Sequence, residues 1–339
     1  MKRKGLLAGG NWIVDHIKLI DCWPPEETLA SILEESRSSG GSPFNILKDL
    51  SALGAPFPLE GVGLVGDDEL GRWARADCRA HGIVTRQLRA TAKLPTSYTD
   101  VMSVKSTGKR TFFHQRGANA LLAPEHFDFS QTRAKIFHLG YLLLLDTLDS
   151  LNAAGKPRAC EVLAAARAAG LLTSIDVVSE ASDRFRQLVP ATLPYVDYLF
   201  VNDYEASRIT GIALNRDDRI RPAAVEKAAE ALIGAGVRRT VVIHFPEAVY
   251  ARNRTGATHW QPSLQMPKDR IKGAAGAGDA LAAGVLFGLH EGWPMKRSLL
   301  LGVAAAASSL THPSCSAGIV TADQCFALAR EVGLRQLPR

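Results

Sequence analysis

The chain has 339 residues, 46% of them hydrophobic and 22% charged, enough to bury a large core and more than one core usually fills, so one large domain with an appendage is expected. Lys and Arg number 40 against 34 Asp and Glu, a formal net charge of +6. That charge is spread along the chain, which suits an anionic substrate and excludes a nucleic-acid binder with a clustered basic face. No run approaches the roughly 20 apolar residues that span a bilayer, so no membrane partner is expected. The five cysteines, Cys22, Cys78, Cys160, Cys315 and Cys325, form no C-x-x-C pair and read as reduced thiols of a cytoplasmic protein.

Lys2-Arg3-Lys4 followed by Gly5-Leu6-Leu7-Ala8 imitates a secretory leader, but Asn11, Asp15, His16 and Lys18 interrupt the apolar stretch too early. Ile13 to Ile20 then alternates apolar and polar residues, as do Ser97 to Val104 and Arg110 to His114, which flank a turn at Ser106-Thr107-Gly108-Lys109. These three segments predict a small exposed antiparallel sheet. Gly40-Gly41-Ser42-Pro43-Phe44-Asn45 precedes an apolar helix face of Ile46, Leu47, Leu50 and Leu53, which Gly54 ends. The glycine pair admits a ligand close to the backbone, and Asn45 and Asp15 carry the donors and acceptors that suit sugar hydroxyls. The plainer alternative is a loop before a helix.

Strands are predicted at Val62–Val65, Lys135–Leu139, Leu171–Val177, Tyr195–Val201 and Arg239–Phe245, with helices at Ala159–Ala169 and Ala223–Ile233 whose C-caps are Gly170 and Gly234. This alternation gives an α/β body, a doubly wound, mostly parallel sheet sandwiched by helices. Residues 1–12, 46–92 and 120–339 form the body. Residues 13–45 and 93–119 form a β lid with sugar-binding segments, placed over the carboxyl ends of the body strands, where open α/β sheets bind ligands.

Two strand-end motifs follow. In Val201-Asn202-Asp203-Tyr204-Glu205-Ala206-Ser207, Glu205 helped by Asn202 suits a magnesium ion held through water. The alternative is an N-cap with an acidic first turn. In the run from Gly273 to Gly284, Asp279 stands behind glycines and alanines at the mouth of a helix. Glycines let backbone N–H groups converge on an anion, and the helix adds its positive end. A second negative charge gains nothing in an anion pocket, so Asp279 reads as a base taking a proton from a nucleophile that attacks a bound phosphate; the alternative is a capping Asp. His114 and His138 lie on strand-like runs without metal-ligand spacing, so zinc is not expected. Trp12, Tyr98 and Phe113 stack on a sugar, meet a partner subunit, or simply pack the lid.

In this order the pieces resemble the PfkB, or ribokinase-like, family of carbohydrate kinases. Gly40-Gly41 with Asn45 and Leu53-Gly54 resembles its N-terminal signature, and Val62 to Gly71 the segment after it. Pro95-Thr96, Gly117-Ala118-Asn119, the Asn202, Glu205 and Gly211 element, and Gly276-Ala277-Gly278-Asp279 match further landmarks, so the likeness runs from about Gly10 to Gly318. It implies that Asp279 is the catalytic base and that the N–H groups of Gly276, Ala277 and Gly278 form an anion hole. Asn202 and Glu205 would organise magnesium and the triphosphate, with Glu205 on the metal side. Asp15, Gly40, Gly41, Asn45 and Thr96 would hold the sugar. The stretch from Val303 to Ala306 would line the adenine pocket, and His244 would contact a phosphate or pack at its strand end.

ATP and Mg2+ are the implied cofactors and a homodimer through the lid the implied assembly. Two departures stand out. Gly273-Ala274-Ala275 occupies the place where relatives that bind an activating potassium ion usually read Asp-Thr-Thr, so activation by this monovalent cation (K+) should be weak or absent. A Thr-x-Gly-x-x-Gly nucleotide loop is replaced by His244 to Val249, which reshapes the rim of the donor site. The expected activity is ATP-dependent phosphorylation of a hydroxyl on a sugar or sugar-like molecule, with ribose, fructose, a keto-deoxy sugar acid, inositol and a nucleoside as open acceptors. The alternative is a catalytically silent sugar- or nucleotide-binding sensor on the same fold. A dinucleotide oxidoreductase is excluded, because no Gly-x-Gly-x-x-Gly follows the first strand.

Overall fold

Leu6, Leu7 and Ala8 are all buried, yet Leu7 joins one apolar cluster while Leu6 and Ala8 join another. Alternate side chains of an extended strand face opposite ways, so such a strand must be covered on both sides. The same split recurs where Leu199 and Val201 oppose Tyr198 and Phe200, and where Val241 and Ile243 oppose Val242. The result is a sheet with a helical layer on each face, as expected from the sequence.

The computed structural model describes residues 3–217 and 219–338. Lys2 of the basic run, and positions 1, 2, 218 and 339 of the body segments, lie outside the described residues. The chain begins with β1 (Leu6–Gly10), β2 (Ile13–Ile20), β3 (Ile32–Gly40), α1 (Ser42–Ala52), β4 (Leu59–Gly66), α2 (Glu69–Ala80), β5 (Ile83–Thr91), β6 (Ser97–Val104) and β7 (Arg110–Gln115). It continues through β8 (Ile136–Leu142), α3 (Asp146–Asp149), α4 (Ala159–Ala168), β9 (Leu172–Val177), α5 (Arg184–Thr192), β10 (Tyr198–Asn202), α6 (Asp203–Thr210) and a short ribbon of β11 (Asn215–Arg216) and β12 (Arg219–Ile220). Last come α7 (Pro222–Gly234), β13 (Thr240–Phe245), β14 (Ala248–Asn253), β15 (Thr258–Pro262), α8 (Ala277–Glu291), α9 (Met295–Ser309) and α10 (Ala322–Val332). No helix among the described residues is long and apolar enough to cross a membrane.

The large sheet has the order β15-β14-β13-β10-β9-β8-β1-β4-β5. Every pair from β13 to β5 is parallel, and β14 and β15 add an antiparallel edge. From β1 the chain winds outward to β4 and β5, then returns to β8 and winds the other way. The topology therefore reverses between β1 and β8, the place where open α/β sheets leave a crevice at their carboxyl ends.

The small sheet has the order β3-β2-β6-β7, and it corrects the expectation of a purely antiparallel lid. The β2–β3 and β6–β7 pairs are antiparallel hairpins, but β2 and β6 run parallel along their whole length. The chain passes through α1, β4, α2 and β5 between them, and so re-enters the lid from the body in the same direction. A second correction concerns α7. Gly234 is its last helical residue rather than its cap; Gly236 takes the positive φ of 125° and is packed so closely on Pro194 that a Cβ would lie 2.9 Å from its ring. Gly170 does end α4 as expected, with φ 82° and its amide donating to Arg167 O at 2.8 Å.

Candidate active site

The crevice is set by two glycines. Gly10 and Gly140 are paired across β1 and β8, and a Cβ on Gly10 would overlap the carbonyl of Gly140. This close approach puts the next residue of each strand, Asn11 and Tyr141, side by side. Asn11 N donates to Gly140 O at 2.8 Å, Tyr141 N to Asn11 Oδ1 at 2.7 Å, and Asn11 Nδ2 to Leu144 O at 3.0 Å. Held in this way, Tyr141 donates its hydroxyl to both carboxylate oxygens of Asp279, at 3.0 Å each.

Asp279 sits in the first turn of α8, whose N-cap Gly276 is left-handed at φ 76°. The first amides of a helix have no acceptor within it, so this turn presents donors to the crevice. A second hydrogen bond reaches Asp279 from α1, where Asn45 Nδ2 donates to Oδ2 at 2.8 Å. Burial, and then the negative charge of Asp176, push Asp279 up to about 7; the bonds from Asn45 and Tyr141 pull the other way. The carboxylate therefore titrates in the range that suits a general base.

Two further carboxylates flank it. Asp176, near the end of β9, is buried, lies 3.5 Å from His138 Nε2, and leaves Oδ1 without a hydrogen-bond partner. Glu205 closes a capping box on α6: Asn202 Oδ1 accepts from Glu205 N, and Glu205 Oε2 accepts from Asn202 N, both at 2.8 Å. Ser179 donates to the other oxygen, Oε1, at 2.7 Å. Burial pushes Glu205 up to about 8. Tyr141, Asp176, Asn202, Glu205, Gly276 and Asp279 line one cavity of about 210 Å3.

A second cavity of about 510 Å3 is lined by Leu264, Met266, Leu281, Val303 and Arg335 among others, and shares Asn202, His244, Ala277 and Gly278 with the first. The two are thus halves of one groove passing the mouth of α8. His244 stands at the join, its Cε1 3.2 Å from where a Cβ on Gly278 would be. Burial lowers it to about 4, so the imidazole there is neutral.

The small sheet also approaches Asp279, close enough for charge to act between it and Asp15. Asp15 on β2 sits above Gly40, where a Cβ would overlap its carboxylate, and Cys315 Sγ lies 3.8 Å from its Oδ2. Burial, followed by the charge of Asp279, raises Asp15 to about 7. Gly41, at φ 79°, presses on the carbonyl of Asn11 and has no room for a side chain. The glycine pair is therefore required by the turn from lid to α1.

Of the residues singled out in the sequence, Asp279, Gly276, Ala277, Gly278, Asn45, Asp15, Gly40 and Gly41 gather around the mouth of α8, and Asn202, Glu205, His244 and Val303 line the groove beyond it. Thr96 does not join them. It is fully buried at the root of the lid, accepting from Gly66 N at 2.9 Å and donating to Asp68 Oδ1 at 2.6 Å. Sequence reasoning missed Asn11, Tyr141 and Asp176. A signal existed for the last: Asp176 is the one charged residue inside the predicted strand Leu171–Val177.

The profile described as pfkB family carbohydrate kinase matches residues 10–322. A 5-dehydro-2-deoxygluconokinase of Shouchella clausii is 24% identical over 88% of this chain and 90% of its own. An ATP-dependent ribose-1-phosphate kinase of Halopiger xanaduensis is 27% identical over 83% of each. Among solved structures, Arabidopsis thaliana ribokinase complexed with ribose and ATP superposes with a TM-score of 0.76 at 19% identity, over 97% of this chain and 99% of that one.

Proposed function

The chain belongs to the pfkB family of carbohydrate kinases, and from that premise we propose that the groove past α8 is one active site with a nucleotide half and a sugar half. The protein is an ATP-dependent kinase that transfers the γ-phosphoryl group to a hydroxyl of a sugar or sugar-like molecule. The observation that carries the site assignment is Asp279, fixed between Asn45 and Tyr141 in the first turn of a helix whose N-terminus has no side-chain cap. A silent binding protein is not favoured, because the relatives are kinases by name.

In this reading the apolar walls of the larger cavity, Leu264, Met266, Leu281 and Val303, take the adenine. The amides of Gly276, Ala277 and Gly278 hold the transferring phosphoryl oxygens at the positive end of α8. Asp15 and Asn45 orient the sugar, and Asp279 accepts the proton of the attacking hydroxyl. The lid, residues 13–45 and 93–119, closes over this half and excludes water.

Magnesium fits the groove because Asp176 Oδ1 is buried without a hydrogen-bond partner, the nearest basic group being His138 Nε2 at 3.5 Å. Asp176 would hold the ion together with Glu205, the latter through water because both its oxygens already accept from Ser179 and Asn202. When bound it neutralises triphosphate charge. No group of three or more His, Cys, Asp or Glu suited to a metal occurs among the described residues, so phosphates and water would complete its shell.

The proposed assembly is a homodimer through the lid. Trp23, Leu29, Ile32, Leu33, Phe112 and Phe113 are exposed on the lid and its loops, an apolar surface of the kind that pairs with a second copy. The five free thiols, four of them buried, support a reducing, cytoplasmic setting.

The test is ATP, magnesium and a panel of ribose, fructose, keto-deoxy sugar acids, inositol and nucleosides. Sugar-dependent ADP formation is expected with at least one acceptor; nucleotide binding without turnover on any of them would overturn the reading.

Two further outcomes follow from the same geometry. The base form of Asp279 is needed, so kcat should rise with pH to half its maximum near 7. Tyr141→Phe removes a hydrogen bond that favours the ionised carboxylate, and should move that limb to higher pH. A rate flat from pH 5.5 to 8.5 would count against Asp279 as the titrating group. Replacing potassium by a bulky organic cation should change kcat less than about twofold, an energy below RT. Position 273 carries no carboxylate, and the Arg110 guanidinium fills the space beside it; strong potassium dependence would contradict this.

A further inference from the structure

Arg110 lies on the lid strand β7, on the face that carries Asp15, Thr99 and His114. Asp15 is paired with Thr99, and Thr99 with His114, across β2, β6 and β7. Arg110 is four residues before His114 on the same strand, and even spacing keeps the face. This is the free end of the lid. The root is tied elsewhere, by Thr96 to Asp68 and by Arg37 to Glu69.

From the free end Arg110 reaches the body. Its Nη2 donates to Pro313 O at 3.1 Å, a contact between residues 203 apart in the chain. The same nitrogen fills the space beside Gly273, where a Cβ would overlap it. Gly273 and Pro313 belong to two segments that frame the mouth of α8 and are joined where Lys272 N donates to Leu310 O at 2.7 Å. Two residues beyond Pro313, Cys315 packs on Gly276, its Cβ 2.7 Å from where a Cβ there would be. The guanidinium is also close enough for its charge to offset part of the burial penalty on Asp15 and on Cys315.

We propose that Arg110 is a positioning residue that latches the free end of the lid onto the Gly273 and Pro313 segments, coupling lid closure to the seating of the anion hole. The inference rests on the reading of the groove as a kinase active site. Closure excludes water, so a lid held only at its root lets ATP react with water instead of the sugar. Glycine at 273 is part of the latch, since any side chain there displaces the guanidinium. Lysine at 110 has a donor for one carbonyl but lacks the planar fork that fills the space beside Gly273.

The test measures sugar phosphate and total ADP for the unmodified enzyme, Arg110→Ala, Arg110→Lys, Gly273→Ala and the Arg110→Ala/Gly273→Ala double variant. In Arg110→Ala, kcat/KM for the sugar should fall about 10-fold, as for loss of one hydrogen bond from a charged donor. KM for ATP should stay within about twofold, because the latch does not touch the nucleotide half. ADP formed without sugar phosphate should increase. Gly273→Ala should show the same phenotype, the double variant should be no worse than either single one, and Arg110→Lys should recover part of the loss. Hydrogen exchange at the amides of the β6–β7 hairpin should quicken in both single alanine variants. An unaffected Arg110→Ala, with unchanged ADP to product ratio and hairpin exchange, would overturn the latch while leaving the kinase reading intact. Additive losses in the double variant would overturn it too. An unmodified enzyme with no sugar-dependent turnover would sink the kinase reading instead, and hairpin exchange alone would then decide whether Arg110 fastens the lid.

Discussion

Asp279→Asn should lower the rate of phosphoryl transfer by about 1,000-fold or more, within the range by which a positioned general base speeds a reaction, while ATP still binds. Asparagine keeps the size of the side chain and one acceptor oxygen, so the donors from Asn45 and Tyr141, at 2.8 and 3.0 Å in the native protein, retain a partner. What is lost is the only function that an amide cannot perform at neutral pH, accepting the proton of the attacking hydroxyl. The substitution also removes a negative charge beside a site for polyanions, so nucleotide affinity should hold or rise slightly. Product formation by single-turnover assay and ATP affinity by calorimetry check the two halves separately. Transfer at a rate close to the unmodified enzyme would show that another group takes the proton.

Gly276→Ala should lower kcat by about 100-fold, the cost of misplacing an anion-hole donor, whereas Gly278→Ala, two residues on, should lower it by about 10-fold at most. The contrast is set by local geometry. Gly276 has φ 76°, where a Cβ is strained, and that Cβ would lie 2.7 Å from Cys315 Cβ and 2.9 Å from the Cys315 carbonyl. Backbone cannot yield as a side chain does, so the turn that aims the first amides of α8 must shift. At Gly278 the neighbour within reach is the ring edge of His244, 3.2 Å away, which can withdraw by a few tenths of an ångström. Comparing kcat for the two variants at saturating ATP and sugar decides it. A larger loss at 278 than at 276 would mean that the turn at Gly276 does not position the phosphoryl group.

The legible parts of the chain were those with a local signature. The strands at Leu172–Val177 and Thr240–Phe245 differ from their predicted bounds by one residue at the start, because each is a short run with β-branched residues bounded by helical patterns on either side. By contrast β1, Leu6–Gly10, reads LLAGG, with no β-branched residue and two glycines. Its place in the centre of the sheet comes from β4 and β8 on either side, an instance of tertiary context overriding propensity. The parallel pairing of β2 with β6 was hidden for a related reason: alternation reports which face a residue takes, not the direction of the neighbouring strand.

The site divides along the same line. The mouth of α8 is legible locally: a glycine able to take φ 76°, a helix start without a side-chain cap and a carboxylate in the first turn all follow from residues next to one another. So is the capping box of Asn202 and Glu205. What Asp279 touches depends on segments far away in the chain. Asn45 is 234 residues away and Tyr141 is 138, Asp176 acts on it through charge from another strand, and its own charge acts in turn on Asp15. The tertiary structure also decided that Thr96 serves the root of the lid and that Arg110 spans to Pro313. Helix starts and caps are written in a few consecutive residues because their hydrogen bonds close within one turn. A buried carboxylate takes its pKa and its partners from whichever strands the sheet order brings beside it, and that order is settled by the packing of two whole cores.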